Sequence, residues 1–172
     1  MECKALEPDD ARTLARAARA RGDRKGLAVL LGLYEGLRRE EIASTRWDAR
    51  DGDWLTVIGK GAKTRTIPVH PVVSSALDDF ERSSEWVFPG RDQGHVSTAS
   101  VWNWIRSVAL EAGIGPVRPP WLRHTALATA NDVTKDLRTV QHLAGHARSS
   151  TTEGYTRATK MRLQEAVQAI DY

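Results

Sequence analysis

The sequence predicts a mainly α-helical fold with one small antiparallel β-sheet, an α+β domain. Two short runs rich in β-branched residues, Trp54–Ile58 and Thr64–Pro68, flank a five-residue turn that contains two glycines. Apolar residues at helical spacing fill most of the remaining chain. A length of 172 residues is one ordinary domain, and we expect a single domain over 1–172. A hydrophobic content of 41% and a charged content of 27% are typical of soluble globular proteins.

The first half of the chain is predicted to hold two helices, a short third helix and then the strands. Pro8 is tolerated in a first helical turn, and the acidic residues after it favour a helix from Pro8 to about Arg19. Residues 27–33 are apolar almost all round, which is typical of a buried helix. We expect that helix to stop at Gly36, since glycine commonly ends helices. A short helix over 39–45 precedes the two strands.

The second half is predicted to be helical apart from a buried segment at 86–90 and a linker. One helix covers 72–82, and another starts at the cap Ser97 and stops at Gly113. Residues 115–120 contain three prolines, so we expect this linker to be non-helical. Short helices then follow at 121–131, at 135–144 behind the cap Thr134, and at 150–155. A terminal helix at 160–170 carries an apolar stripe.

The charge balance is compatible with a polyanionic partner such as DNA. Net charge is +3 and the isoelectric point is about 9.2. The basic residues cluster near the start, at Arg12, Arg16, Arg19, Arg21, Arg24 and Lys25, and in the middle, at Lys60, Lys63 and Arg65. A balance of this size is also common in proteins that bind no nucleic acid. The single cysteine excludes an internal disulfide, and no secretion signal or membrane span is evident, so we expect a cytoplasmic protein.

Two cationic residues in the first half are candidates for phosphate contacts. Arg38 follows Gly36 at the edge of an apolar run, where the fold would fix its guanidinium; a surface residue behind a helix cap is an equal alternative. Lys60 lies between two glycines at a hairpin tip, which can bring its ammonium close to a phosphate. An ordinary polar turn fits that pattern too. The segment is no P-loop, because it joins two strands and lacks the Ser or Thr after Gly-Lys.

The last third supplies further candidates. Arg123 and His124 are predicted in the first turn of a helix, where backbone N–H groups and a guanidinium favour an anion. His142 and His146 are four apart, but Gly145 lies between them and no acidic third ligand is evident, so we expect no metal. Tyr155 follows a run that caps a helix. A phenol, with a pKa of about 10, is a poor nucleophile unless cations neutralise the phosphate it attacks.

Together these segments resemble the catalytic domain of the tyrosine recombinases, the phage integrase family. The matching stretches are Gly36-Leu37-Arg38 with Trp47-Asp48, the hairpin around Gly59-Lys60-Gly61, Leu122-Arg123-His124, and Leu143-Ala144-Gly145-His146 with Tyr155 nine residues on. Their order and spacing cover roughly residues 6–163. The resemblance implies that family's catalytic-domain fold and a site-specific DNA recombinase that cuts and rejoins duplex DNA.

The resemblance also implies a role for each residue. Arg38 and Arg123 would clamp the non-bridging oxygens of the scissile phosphate, and Lys60 would donate a proton to the leaving 5′ oxygen. His146 would hydrogen-bond the phosphate, and Tyr155 would attack it to give a 3′-phosphotyrosine. The chemistry needs no metal or cofactor, because these side chains supply the positive charge.

The same resemblance implies the partners: double-stranded DNA, and a homo-tetramer assembled on it from protein that is monomeric in isolation. The family's N-terminal DNA-clamp domain is expected to be absent from this chain. The terminal apolar stripe would either dock on a neighbouring protomer or pack on its own domain.

One departure from the family pattern concerns the residue three positions before Arg123. The family has a histidine there, usually credited with accepting the tyrosine's proton, and this chain has Pro120. We therefore predict slowed cleavage rather than none, because general acid–base help is worth about 10²–10⁴-fold. Two alternatives stay open: a catalytically inactive DNA-binding relic or regulator, and a relaxing enzyme resembling type IB topoisomerases.

Overall fold

The computed structural model describes residues 4–145 and 156–172, and of Lys60 only the backbone. Within these ranges the chain forms eight α-helices and one three-stranded antiparallel sheet, which confirms the predicted α+β class. The helices are α1 (Pro8–Arg21), α2 (Arg24–Leu33), α3 (Arg39–Ala43), α4 (Pro71–Asp78), α5 (Thr98–Glu111), α6 (Pro119–Thr134), α7 (Leu137–Ala144) and α8 (Arg157–Gln168). The strands are β1 (Arg50–Asp51), β2 (Trp54–Ile58) and β3 (Thr64–Pro68).

Helix α2 is the centre of the core. Its last eight residues are all buried, as the continuous apolar run predicted, and it packs against α1, α4, α5 and α6. The contact with α6 is close: a Cβ added at Gly32 would lie 2.9 Å from Leu122 Cδ1. Since Leu122 precedes Arg123, this packing brings the start of α6 beside the chain that leaves α2 toward Arg38.

The sheet is a meander in the order β1-β2-β3. Strands β2 and β3 have the predicted bounds, and their register pairs Val57 with Arg65. The backbone N–H of Gly59 donates to the Lys63 carbonyl over 2.7 Å and closes the predicted turn. Inside it, Lys60–Ala62 forms a 3₁₀ turn in which Gly61 has a φ of +75°, a value that favours glycine. Strand β1 was not predicted, because two residues carry no alternation.

Several predicted boundaries were wrong by a few residues. Helix α2 ends at Leu33, so Gly36, with a φ of +62°, lies in the α2–α3 connection instead of ending the helix. Helix α4 ends at Asp78 instead of near 82. Helix α7 begins at Leu137 behind the cap Asp136, whose carboxylate accepts from the Arg138 and Thr139 N–H groups, and not behind Thr134. The helix predicted at 150–155 lies outside the described residues.

The linker prediction also failed at its end. Helix α6 begins at Pro119, so both Pro119 and Pro120 are in its first turn, where a missing N–H costs no hydrogen bond. Arg123 is therefore the fifth residue of α6 and not in the first turn. The helix start therefore offers fewer free donors than the sequence suggested, because Pro119 and Pro120 have no N–H and the Trp121 N–H donates to the Arg118 carbonyl.

The C-terminal segment packs on its own domain. Leu163, Val167 and Ile170 are each at most 2% exposed, and Tyr172 contacts the Tyr34 ring edge-on with centroids 5.3 Å apart. Of the two arrangements considered for this stripe, the structure has the one in cis. None of the helices in the described ranges is both long enough and apolar enough to cross a membrane.

Candidate functional site

Three arginines from separate parts of the chain meet around one carboxylate. Arg38 is the N-cap of α3, Arg65 lies in β3 and Arg123 lies in α6, while Glu41 is on the first turn of α3. Glu41 accepts hydrogen bonds from both terminal nitrogens of Arg65, at 2.7 and 2.8 Å, and from Arg38 Nη1 at 3.0 Å. It also accepts from the Arg38 backbone N–H at 2.8 Å. Arg65 and Arg123 are buried, whereas 40% of the Arg38 side chain is exposed.

Arg123 is held by two backbone carbonyls. Its Nη1 donates to the Gly36 carbonyl at 2.6 Å, and its Nη2 donates to the Ala144 carbonyl at 2.5 Å. The first contact joins α6 to the α2–α3 connection, and the second joins it to the end of α7. A guanidinium has five N–H donors, so others remain for a ligand.

Charge in this cluster is unbalanced. Burial, followed by the positive charges of Arg38 and Arg65, lowers the pKa of Arg123 to about 10. Burial alone would raise the pKa of Glu41, but hydrogen bonds and the charge of Arg65, assisted by Arg38, lower it to about 2. Three guanidiniums thus share one ionised carboxylate among the described residues, which leaves two positive charges in excess. An anion with several oxygens would relieve the repulsion among the three guanidiniums and accept hydrogen bonds from their unused N–H groups.

The Glu41–Arg65 ion pair was not predicted from the sequence, where Arg65 was counted only among the basic residues suited to a polyanion; the structure instead buries it. Each of the two residues nevertheless left a signal. Glu41 is the third residue of a helix, where an acidic side chain is favoured by the helix dipole and reaches the backbone N–H before the helix. Arg65 and Ile67 are two residues apart in β3, so their side chains point to the same, buried face of the strand. A charged residue on a buried strand face needs a partner, which is the clue to an ion pair.

The lysine hairpin begins next to this cluster. A Cβ added at Gly59 would lie 3.5 Å from Glu41 Oε1 and 3.8 Å from Arg65 Nη1. Gly59 therefore packs on the Glu41–Arg65 ion pair, and Lys60 is the next residue. The structure places the backbone of Lys60 at this hairpin.

His146 and Tyr155 lie outside the described residues, so their predicted positions are not tested. Gly145, directly before His146, ends α7 with a φ of +65°. A Cβ there would lie 3.0 Å from Arg65 Cδ, so the end of α7 sits against the same arginine. His142, on α7, is half-buried. In the described ranges, no group of three or more His, Cys, Asp or Glu side chains could hold a metal ion.

The two described tyrosines are poorly suited to attack a phosphate. Tyr34 is 2% exposed, and burial raises its pKa. Burial raises the pKa of Tyr172 to about 12, and its hydroxyl is 3.1 Å from the Thr129 hydroxyl. Raised phenol pKa values mean less phenolate at neutral pH, hence weaker nucleophiles.

The basic cluster near the N-terminus is less open than its sequence suggested. Arg12 pairs with Asp9 at 2.5 Å, and Arg21 pairs with Asp23 at 2.7 Å and with Glu111. Neighbouring acids thus neutralise part of this cluster. A second unbalanced positive charge, largely buried, lies around Arg38, Arg65 and Arg123.

Comparison with known proteins identifies the family. The model of the phage integrase family matches residues 4–162. The chain belongs to this family. Over 138 residues, this integrase-family chain is 38% identical to the tyrosine recombinase XerC of Xylella fastidiosa, covering 74% of the chain and 47% of that protein. The match to XerC of Pediococcus pentosaceus is 32% identical over 159 residues, with 83% of the chain and 52% of that protein covered. The chain thus spans about half the length of these relatives.

Solved structures show the same fold. The integrase of mycobacterium phage Brujita is 32% identical, with a TM-score of 0.77, and the match covers 99% of this chain and 60% of that one. The lambda integrase catalytic core, 20% identical, has a TM-score of 0.68 over 86% of this chain and 94% of that one. These matches confirm the predicted family and its catalytic-domain fold, and they favour the recombinases over the topoisomerase-like alternative.

Proposed function

We propose that this chain is the catalytic domain of a site-specific DNA recombinase that cuts and rejoins double-stranded DNA through a 3′-phosphotyrosine at Tyr155. The observation that carries the proposal is the arginine cluster, with its two excess positive charges and an exposed guanidinium at Arg38. A phosphodiester carries one negative charge and two non-bridging oxygens, which two guanidiniums can share. Family membership supports the same conclusion.

In this mechanism Arg38 and Arg123 bind the scissile phosphate. The fixed contacts of Arg123 with two carbonyls prepare it before DNA arrives, so little reorganisation accompanies the reaction. As the phosphorus becomes five-coordinate, negative charge grows on the non-bridging oxygens. The guanidiniums then bind the transition state more tightly than the ground state, which lowers the barrier.

Tyr155 is the proposed nucleophile. The other two tyrosines of the chain, Tyr34 and Tyr172, are buried phenols with raised pKa values, and Tyr172 is also bonded to Thr129. Attack forms the bond from the phenol oxygen to phosphorus, releases the phenol proton to water, and breaks the bond from phosphorus to the 5′ oxygen. Lys60 gives that oxygen a proton, and His146 hydrogen-bonds the phosphate. The reverse reaction with another 5′-hydroxyl reseals the strand without ATP or a cofactor.

Because Pro120 stands where the family has a base, we expect removal of the proton from Tyr155 to be the slow step. Pro120 is exposed on the first turn of α6, three residues before Arg123, and has no group that accepts a proton. His124 follows Arg123 directly, so its side chain projects from another side of the helix. We expect a rate about 10²–10⁴-fold below that of a site with a full base. If the loss is larger, the chain acts as a DNA-binding regulator.

The proposed partners are DNA and further copies of the chain. Solved relatives include a XerH recombinase bound to its difH substrate and a lambda integrase tetramer bound to a Holliday junction. By analogy we propose a tetramer on DNA and a monomer without it. The reaction belongs in the cytoplasm, where a single cysteine stays reduced.

The test is covalent trapping. The DNA site is first selected from random duplexes by binding, and a nick near the scissile phosphate then lets the cleaved strand diffuse away. We expect a protein–DNA adduct on a denaturing gel with wild type and with Tyr172→Phe, and none with Tyr155→Phe. An adduct that persists in Tyr155→Phe would assign the wrong nucleophile. Normal DNA binding without any adduct would favour the regulator.

A further inference from the structure

Arg65, on β3, bonds residues of both α3 and α7, and its side chain is buried. It is 8% exposed, and Nε, Nη1 and Nη2 all donate to protein acceptors: the Leu143 carbonyl at 3.2 Å and the two Glu41 oxygens at 2.7 and 2.8 Å. Arg38, on the same carboxylate, keeps 40% of its side chain exposed. Arg65 is therefore not built to reach a phosphate, in contrast to its neighbour.

The contacts of Arg65 fix the hairpin relative to the phosphate site. Glu41 belongs to the helix whose N-cap is Arg38, and Leu143 lies next to Ala144, whose carbonyl holds Arg123. Arg65 thus ties β3 to both segments that orient the two phosphate-binding arginines. On the hairpin itself, Arg65 is two residues beyond Lys63, which closes the turn onto Gly59, and Gly59 packs against the Glu41–Arg65 ion pair.

Arginine is suited to this position. Its planar guanidinium bonds both oxygens of a carboxylate side by side and still presents Nε to a third acceptor. Lysine would keep the charge but offers one nitrogen, which cannot reproduce contacts to two elements at fixed angles. The pair's geometry, more than its charge, is what joins the hairpin to α3 and α7.

We propose that Arg65 is a positioning residue for Lys60: it sets the distance between the hairpin lysine and the phosphate held by Arg38 and Arg123. The proposal rests on the proposed function, in which Lys60 protonates the leaving 5′ oxygen. Loss of Arg65 then slows the breaking of the bond to that oxygen. The loss of Arg65 leaves DNA binding largely unchanged, because Arg38 and Arg123 remain.

The test compares two nicked duplexes that differ only in the scissile bridging atom. One has the natural 5′ oxygen, and the other has sulfur there, a 5′-bridging phosphorothiolate. A thiolate leaves without a proton because a thiol is far more acidic than an alcohol, so the sulfur substrate does not need Lys60. Single-turnover adduct formation is measured for wild type, Lys60→Met, Arg65→Lys and the matched control Arg50→Lys. Arg50 lies on β1 of the same sheet, 2.6 Å from Asp78 of α4.

For Arg65→Lys we expect adduct formation about 30-fold slower with oxygen and within about threefold of wild type with sulfur, since a misplaced general acid costs part of its 10²–10⁴-fold benefit. Lys60→Met should show the same pattern more strongly, and Arg50→Lys should match wild type on both substrates. DNA affinity should change by less than about threefold in Arg65→Lys and in Arg50→Lys, because the phosphate contacts of Arg38 and Arg123 are kept in both.

If Arg65→Lys folds poorly, Glu41→Gln with Arg65→Met replaces it, since removing both charges leaves neither one buried alone and an amide oxygen remains for Arg38. Equal slowing on both substrates, or no slowing at all, would overturn the proposal while the proposed function stands. Lys60→Met that sulfur fails to rescue would remove Lys60 as the acid, and with it the proposal that Arg65 positions Lys60. The proposed recombinase function, which rests on the arginine cluster and Tyr155, would be rejected only if wild type formed no adduct on either substrate.

Discussion

Two buried carboxyl groups six residues apart, those of Glu35 and Glu41, have pKa values shifted in opposite directions. Glu35 lies in the α2–α3 connection, where its Oε1 accepts from the His70 backbone N–H at 2.8 Å and its Oε2 has no hydrogen-bond partner among the described residues. Burial raises the pKa of Glu35 to about 8. Burial would also raise the pKa of Glu41, but Arg65 and Arg38 lower it to about 2. At pH 7 one is a neutral acid and the other an anion.

The difference shows what a buried carboxylate needs to stay charged. A single neutral N–H does not compensate Glu35 for lost water, so it keeps its proton. Two guanidiniums compensate Glu41, and that anion in turn lets three arginines come together. The first carboxylate therefore belongs to the core, while the second organises the arginine cluster of the proposed phosphate site.

The largest expected effect comes from removing the charged carboxylate. Glu41→Leu leaves the Arg65 guanidinium buried without its partner, and we expect a loss of roughly 3–5 kcal/mol in the free energy of unfolding. Urea unfolding measures it. The matched control is Glu40→Leu, next along the chain: Glu40 is 57% exposed and pairs with Arg39, so its loss should cost less than about 1 kcal/mol. Similar losses of stability in both variants would mean that Glu41 is no more important to the fold than an exposed carboxylate.

Removing a guanidinium that is proposed to bind the phosphate should slow the reaction more than a substitution at Glu35. With Arg123→Gln we expect adduct formation to slow by about 10²–10³-fold, because a prepared donor to the transition state is lost. Adduct rates on the nicked duplex measure this. Glu35→Gln is the control and should cleave at the wild-type rate. If Glu35→Gln slowed cleavage as much, the two carboxylates would not have separate roles.

The protonated state of Glu35 makes a pH prediction. Between pH 4.5 and about 8 the folded chain holds a proton that the unfolded chain releases, so stability falls as pH rises. The contribution is complete below pH 4.5, the ordinary pKa of Glu, and is lost as pH passes about 8. The slope should be at most about 1.4 kcal/mol per pH unit.

Glu35→Gln should remove that slope in urea unfolding from pH 5 to 9. Glu41→Gln should keep it, because the stability due to the lowered pKa of Glu41 is present above pH 4.5 and lost only as pH falls toward 2. An unchanged slope in Glu35→Gln would mean that this carboxyl is ionised in the folded protein.

The smallest expected effect tests the contact of Arg65 with α7. Gly145→Ala should lose roughly 1–2 kcal/mol, because alanine is strained at positive φ. Its methyl group would also lie 3.0 Å from Arg65 Cδ. Gly52→Ala is the control, with a φ of +56° and nothing within 4 Å of the added Cβ. Thermal unfolding should show the greater loss for Gly145→Ala; equal losses would mean that the contact with Arg65 is unimportant.

Local patterns predicted the fold class and the two main strands, because alternation and glycine turns act over a few residues. For Arg38 they left two equal alternatives, a guanidinium fixed by the fold or a surface residue behind a helix cap; in the structure the Arg38 side chain is 40% exposed and bonds Glu41. They could not predict the Glu41–Arg65 pair or the Arg65–Leu143 contact, which join residues 24 and 78 positions apart. The start of α6 was missed because prolines that bar a helix interior are accepted in its first turn. The roles of Arg38, Lys60, Arg123, His146 and Tyr155 remain predictions.

The most direct test of the central claim is to identify the residue that carries the DNA. The trapped adduct is digested with nuclease and protease, and the peptide that retains a nucleotide is sequenced by mass spectrometry. The mechanism predicts a 3′-phosphate joined to Tyr155. A nucleotide on Tyr34, Tyr172 or a serine, or one joined through its 5′ end, would contradict it.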